Sequence, residues 1–193
     1  MNKVLIIIAH PNSEGHNRYF LKKIQEKLDS NNILYNILDL YEMNFDPCLK
    51  QTELYTINNR HISDKNIEIQ NMIKESDRLL FIFPTWWQNM PAILKGFFDR
   101  IFTPKFAYQY SSLGIPEGLL KNKKAAIFTT TGGPSVYEKY IISLPSVKLI
   151  KNHILKFSGI KSKGFALYSA KNLEKNKNRI EKISLDIYKY LIN

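Results

Sequence analysis

The chain is predicted to adopt an α/β fold: a doubly wound sheet of five parallel strands in the order 2-1-3-4-5, with helices on both faces. Three observations predict it. Apolar runs of strand length alternate five times with stripes of helical period. The first, third and fourth runs are apolar without alternation, as strands buried on both faces must be. No repeat, low-complexity linker or composition break divides the chain, so 1–193 reads as one domain. Five strands suit this order better than the six of the dinucleotide-binding arrangement.

The elements follow in order. "KVLIIIA" (Lys3–Ala9) is the first strand, and Phe20, Leu21, Ile24 and Leu28 mark the face of the helix after it. "NILYNILDL" (Asn32–Leu40) is the second strand. After an irregular stretch, Ile69, Met72, Ile73 and Ser76 indicate a short helix. "RLLFIFP" (Arg78–Pro84) is the third strand. Ile93, Leu94, Phe97, Phe98, Ile101 and Phe102 form a wide helical stripe, with Pro91 suited to its first turn. "KKAAIFTTT" (Lys123–Thr131) is the fourth strand. Val147, Ile150, Ile154 and Phe157 make a helix face that Gly159 is placed to end. "GFALYSA" (Gly164–Ala170) is the fifth strand, and Ile180, Ile183, Ile187 and Leu191 give the closing helix.

Composition narrows the function classes. The 193 residues leave room for a substantial core. No apolar run approaches the ~20 residues of a membrane span. The N-terminal apolar stretch is short and lacks a small-residue cleavage site, so it reads as a buried strand and not a leader. Cys48 is the only cysteine and cannot form an internal disulfide, which fits a cytoplasmic protein. The formal net charge of +11 favours anionic partners. The densest basic stretches, Lys121–Lys124 and Lys171–Arg179, lack interleaved aromatics, so a solvated basic surface is expected and a nucleic-acid partner is not.

In such sheets ligands bind beyond the carboxyl ends of the strands, at the switch in strand order. The unusual loops follow strands one, three and four. "HPNSEGHN" (His10–Asn17) precedes a helix, whose free N–H groups bind anions; a plain polar loop capped by Asn17 is the alternative. It lacks the Walker-type phosphate pattern. "PTWWQNMP" (Pro84–Pro91) holds both tryptophans, either as core or as the wall of a planar ring. "TTTGGP" (Thr129–Pro134) pairs Gly132 with Gly133, either a turn or a close backbone approach to a ligand edge, and Tyr137 follows. A side chain at Gly132 is expected to displace such an edge and to strain the backbone. Together, an anion loop, an aromatic wall and an amide edge describe a flavin site.

The chain resembles the flavodoxin-like NAD(P)H:quinone oxidoreductases, a group that includes DT-diaphorase, the modulator-of-drug-activity proteins and the potassium-efflux ancillary proteins. The resemblance spans about Lys3 to Ser169. It rests on "AHP" with Asn17, "DLYEMNFDP" (Asp39–Pro47), "FPTWWQNMPAILKGFFDRIF" (Phe83–Phe102), "TTGG" and "FAYQY" (Phe106–Tyr110). It implies that His10, Gly15, His16 and Asn17 hold the phosphates of FAD, or of FMN as the alternative. Pro84, Thr85, Trp86 and Trp87 would line the ring; Thr130, Thr131, Gly132, Gly133 and Tyr137 would hold its polar edge. Tyr108, Tyr110 and Tyr137 are the implied catalytic residues, the first two bordering the acceptor from the partner subunit of a homodimer. The family often has Ser-Phe-Asn where this chain has Gly15-His16-Asn17, which removes one hydroxyl contact.

The implied activity is two-electron reduction of a quinone-like acceptor, with NAD(P)H as co-substrate and no metal. The alternative is an ancillary subunit of a potassium-efflux transporter that touches the membrane peripherally. A flavodoxin-type carrier fits less well, since the S/T-x-T-G-x-T loop is absent and the chain is basic. The proton-relay histidine of DT-diaphorase has no counterpart after Tyr137. His153 is expected to pack on the apolar side of its helix.

Overall fold

The computed structural model describes residues 3–57 and 61–193. Seven strands are present: β1 (Val4–Ile8), β2 (Tyr35–Asp39), β3 (Arg78–Pro84), β4 (Tyr108–Tyr110), β5 (Pro116–Gly118), β6 (Lys124–Thr130) and β7 (Lys161–Leu167). Among the described residues five α-helices accompany them: α1 (His16–Asp29), α2 (Asp64–Glu75), α3 (Ala92–Ile101), α4 (Pro145–Lys148) and α5 (Leu173–Ile192).

Five of the strands form one parallel sheet in the order β2-β1-β3-β6-β7. The predicted order 2-1-3-4-5 describes the sheet strands alone. Over the whole chain it needs correction, because β4 and β5 intervene as a separate antiparallel pair. They lie within and just after the "FAYQY" segment, too short and too mixed to stand out as strands.

The pleat explains why β1, β3 and β6 carry no polar alternation. Leu5, Ile7, Leu79, Phe81, Phe83, Ala125 and Ile127 face one core, with Leu94, Phe97 and Phe98 of α3 and Ile69 and Ile73 of α2. Val4, Ile6, Ile8, Leu80, Ile82, Ala126 and Phe128 face the other, under α1 and α5. There Phe20 stacks on Phe128 with ring centroids 3.8 Å apart.

Several boundaries differ from expectation. β2 begins at Tyr35, because Asn32 adopts a left-handed conformation (φ 53°) in the turn that closes α1. Pro91 caps α3 instead of lying in its first turn. β7 begins three residues before the predicted strand, since the Lys-rich "KSK" of an outer strand hides its register. Its end at Leu167 is set by Ser169 (φ 54°), where the chain turns toward the Thr131–Gly133 loop.

The predicted fourth helix is α4 followed by a wider π-helical segment, Leu149–Leu155. Lys156 N donates to Lys151 O, five residues back. The buried positions therefore step from Ile150 to Leu155 and not to Ile154. His153 is consequently exposed, which corrects its expected packing. Gly159 (φ 84°) ends the segment as anticipated.

The long connection after β2 is pinned to α3. Arg100, buried in α3, donates from Nη2 to Glu53 Oε1 (2.7 Å), from Nε to Glu53 Oε2 (2.9 Å) and from Nη1 to the Asp46 carbonyl (2.5 Å). Gly96 allows this approach, for a Cβ there would collide with Pro47. No described helix is long and apolar enough to cross a membrane.

Candidate functional site

Register places the three unusual loops on one edge. Ile8 pairs with Asp39 and Ile82, and Pro84 with Thr130, so β1, β3 and β6 release their chains at the same end of the sheet. Thr85 N continues the ladder to Thr130 O (2.8 Å), and Ala9 N to Ile82 O (2.9 Å).

The loop after β1 is held by its own polar groups. Asn12 N donates to His10 Nδ1 (3.1 Å), and Glu14 N to Asn12 Oδ1 (3.0 Å). Arg18 clamps it from α1, donating from Nε to Asn12 O (3.0 Å) and pairing with the buried Asp39 at the end of β2. Gly15, at φ 93° and ψ −167°, occupies backbone space open only to glycine. The helices α2 and α5 begin with side-chain caps from Ser63 and Asn172, whereas α1, like α3 and α4, has none. Its first-turn N–H groups are therefore left for another acceptor. Asn17 is 2% exposed, and its Oδ1 is buried without a partner. It does not cap α1, whose N-cap position is Gly15.

His16 is held elsewhere. Its Nε2 lies 3.4 Å from Asn176 Nδ2 of α5. Burial lowers its pKa, and a backbone hydrogen bond involving Asn172 partly opposes the shift. The ring is thus turned to α5, leaving its backbone amide for the loop.

The loop after β3 is a tight turn. Trp86 N donates to Asn89 O and Asn89 N to Trp86 O, both at 2.9 Å, with Trp87 (φ 50°) and Gln88 (φ 60°) left-handed between them. Glycine and asparagine normally fill such positions. Trp87 is fully exposed (102%) and Trp86 is 42% exposed, so neither is core. The Trp86 ring lies 6.4 Å from that of His10, joining the first two loops. Thr85 points inward, its Oγ1 2.8 Å from Thr129 Oγ1 and 3.0 Å from Ser146 Oγ.

The loop after β6 is shaped by a residue that carried no signal in the sequence. Glu138 is 2% exposed, and its Oε1 accepts from Thr131 Oγ1 (2.7 Å) and Gln88 Nε2 (3.4 Å). Its charge reaches Tyr168 at the end of β7. There burial pushes the hydroxyl pKa up; Lys139 pulls it down, and Glu138 adds to the rise. Ser169 N and Ala170 N donate to the carbonyls of Gly133 (3.0 Å) and Thr131 (2.9 Å). A Cβ at Gly132 would meet nothing within 4 Å, so that position opens on free space. Its φ is not left-handed, which removes backbone strain as the reason for glycine there. Tyr137 is exposed at the start of the π-helical turn that carries Glu138.

Tyr108 and Tyr110 stand apart from this crevice. Tyr108 packs edge-on against Phe157 (4.8 Å) and lines a groove of about 360 Å³ with Phe98, Phe102 and His153. No residue of the three loops lines that groove. Arg18, Gln88 and Glu138 bond the candidate-site loops and carried no signal in the sequence. Among the described residues no group of His, Cys, Asp and Glu is arranged to hold a metal.

The profile of a family described as having a flavodoxin-like fold matches residues 2–191. The chain belongs to this flavodoxin-like family. One relative in it, an uncharacterized NAD(P)H oxidoreductase of Haemophilus influenzae, is 34% identical over 94% of this chain and 90% of its own. NAD(P)H dehydrogenase [quinone] 1 of Cavia porcellus is 31% identical over 69% of this chain, which spans only 54% of that longer protein. Among solved structures, the flavodoxin-like chain superposes on the NAD(P)H:quinone oxidoreductase of Methanothermobacter marburgensis with a TM-score of 0.82 and 26% identity, covering 96% and 98% of the two chains.

Proposed function

We propose that this protein is a flavin-dependent NAD(P)H oxidoreductase that reduces quinone-like acceptors by two electrons, acting as one domain over 1–193 in the cytoplasm. FAD is the proposed cofactor and FMN the alternative. One observation carries the reading: the uncapped start of α1, the exposed Trp86–Trp87 turn and the open side of Gly132 converge on one sheet edge. The relatives' names point the same way.

The residues fit a flavin in kind. The first-turn amides of α1 and the unpartnered Asn17 suit a phosphate end, helped by the close backbone approach at Gly15. His10 borders that end, and His16 contributes through its backbone. Trp86 and Trp87 would form the wall of a planar ring, with Pro84 and Thr85 contributing through their backbone because the Thr85 side chain turns inward. The backbone of Thr130, Thr131, Gly132 and Gly133 supplies groups for a polar edge. When bound, the flavin supplies the ring that takes hydride from NAD(P)H and passes it on. Such chemistry requires the chain chiefly to orient its ligands, bringing reacting atoms to about 3–3.5 Å. Tyr137, exposed and adjacent in the chain to Glu138, offers a hydroxyl for the acceptor's proton.

Tyr108 and Tyr110 would reach the crevice only from a second copy, so the proposal includes a homodimer. Tyr110, Leu113 and Ile115 are exposed on and beside the β4–β5 hairpin, with Leu49, Leu54 and Tyr55 exposed on the connection after β2. No observation at the site singles out the transporter-ancillary alternative.

The test is the absorption spectrum and released cofactor of the purified protein, then steady-state rates with NADH or NADPH and a quinone. Stoichiometric flavin and quinone-dependent turnover are expected. A protein that takes up neither FAD nor FMN would refute the reading.

A further inference from the structure

Among the described residues three carboxylates are buried: Asp39, Glu53 and Glu138. Two of them have an arginine: Arg18 pairs with Asp39, and Arg100 with Glu53. Among the described residues Glu138 has no cationic partner; the groups that bond its Oε1 are the neutral Thr131 hydroxyl and Gln88 amide, and its Oε2 is buried with no partner there. A buried carboxylate without a countercharge is costly. Its place in the fold gives a reason to keep it. Glu138 bridges two of the crevice loops, the Trp86–Asn89 turn and the Thr131–Gly133 segment, and fills the space beside Gly133.

We propose that Glu138 is a positioning residue for the polar edge of the bound flavin, and that its negative charge weakens binding of the reduced, anionic cofactor relative to the oxidised, neutral one. This rests on the flavin reading above. The two hydrogen bonds fix the amide edge against the turn. On that reading the carboxylate would lie behind the Thr131–Gly133 segment that borders the ring's polar edge, and like charges close together in a poorly solvated site repel. The result is a lower two-electron potential and a more strongly reducing cofactor, as suits an enzyme that must hand electrons on.

The test compares wild type with Glu138→Gln, which keeps the shape, and Glu138→Leu, which removes the hydrogen bonds as well. Apoprotein is titrated with oxidised FAD and FMN by fluorescence, and the potential of the loaded protein is measured by equilibration with a reference dye. In both variants the ratio of reduced to oxidised affinity should rise about tenfold, which for a two-electron couple is an upward shift of about 30 mV. In Glu138→Gln the affinity for oxidised flavin should stay within about threefold. An unchanged or lower potential overturns the proposal. So does equal weakening of both redox forms, or failure of both variants to fold, since either would make Glu138 part of the framework only. If wild type takes up no flavin, the proposed function fails first. If wild type loads and the variants keep its potential, only this inference fails.

Discussion

Glu138 occupies the space that a side chain on Gly133 would need: a Cβ there would meet Oε1, Cγ and Cδ of the carboxylate. At neighbouring Gly132 a Cβ would meet nothing. Gly133 is thus required by the protein's own packing, and on the proposed reading Gly132 would be required by the ligand's volume. Gly133→Ala should destabilise the apoprotein by about 1–3 kcal/mol through overpacking. Gly132→Val should melt with the wild type yet bind no flavin. Thermal melts of the apoproteins and flavin titrations check both; a Gly132→Val protein that loads stoichiometrically would show the site to be misplaced.

The Trp86–Asn89 turn carries left-handed strain at Trp87 and Gln88 that the proposed flavin would justify. Trp87 is left-handed and fully exposed, a poor place for an indole in the empty protein. Asparagine tolerates that conformation better. Trp87→Asn should therefore stabilise the apoprotein by about 1 kcal/mol, while flavin affinity falls at least about tenfold. Unchanged affinity in a fluorescence titration would rule out the indole as a ring wall.

Acid should loosen the connection after β2. Burial raises the Glu53 pKa, but hydrogen bonds from Arg100 and the Lys50 amide outweigh it and hold the carboxyl below its ordinary range. A depressed folded value means the stabilisation is present above the unfolded value of about 4.3, and is lost as pH falls through the folded one. Urea melts should show a steep acid loss in wild type and a flatter one in Glu53→Gln. Glu53→Ala at neutral pH should cost about 3–5 kcal/mol, since it strands Arg100 in a buried position.

His153→Ala should leave the melting temperature unchanged, because the π-helical turn puts the ring on the surface. Hydride uptake from NAD(P)H should also be unaffected. A relay by a placed side chain is worth about 10²–10⁴-fold, so stopped-flow reduction of a quinone would reveal one readily. A loss of that size in the acceptor half-reaction alone would make His153 the proton donor.

The sheet was legible because β1, β3 and β6 are buried on both faces, which leaves unbroken apolar runs in the sequence. The convergence of three loops on one sheet edge was legible because they followed those same strands. What stayed hidden has physical causes. The lysines of β7 snorkel outward on an edge strand and mask its pleat. The π-helical step at Ile150–Leu155 breaks the 3.6-residue period on which His153 was placed. Glu138 and Arg18 act through long-range bonds, and no spacing in the sequence announces a partner distant along the chain or in another loop.

On the proposed reading, the missing cap on α1 would link this protein's persistence to its flavin supply. An empty chain exposes the first turn of a core helix to fraying and so to proteases. A bound anionic ligand would close that end, and a hundredfold excess over its dissociation constant adds about 2.7 kcal/mol to the folded state. The amount of this protein in a cell would then follow the amount of flavin, with unloaded copies cleared first. Cofactor scarcity would lower the level of the enzyme itself as well as its activity.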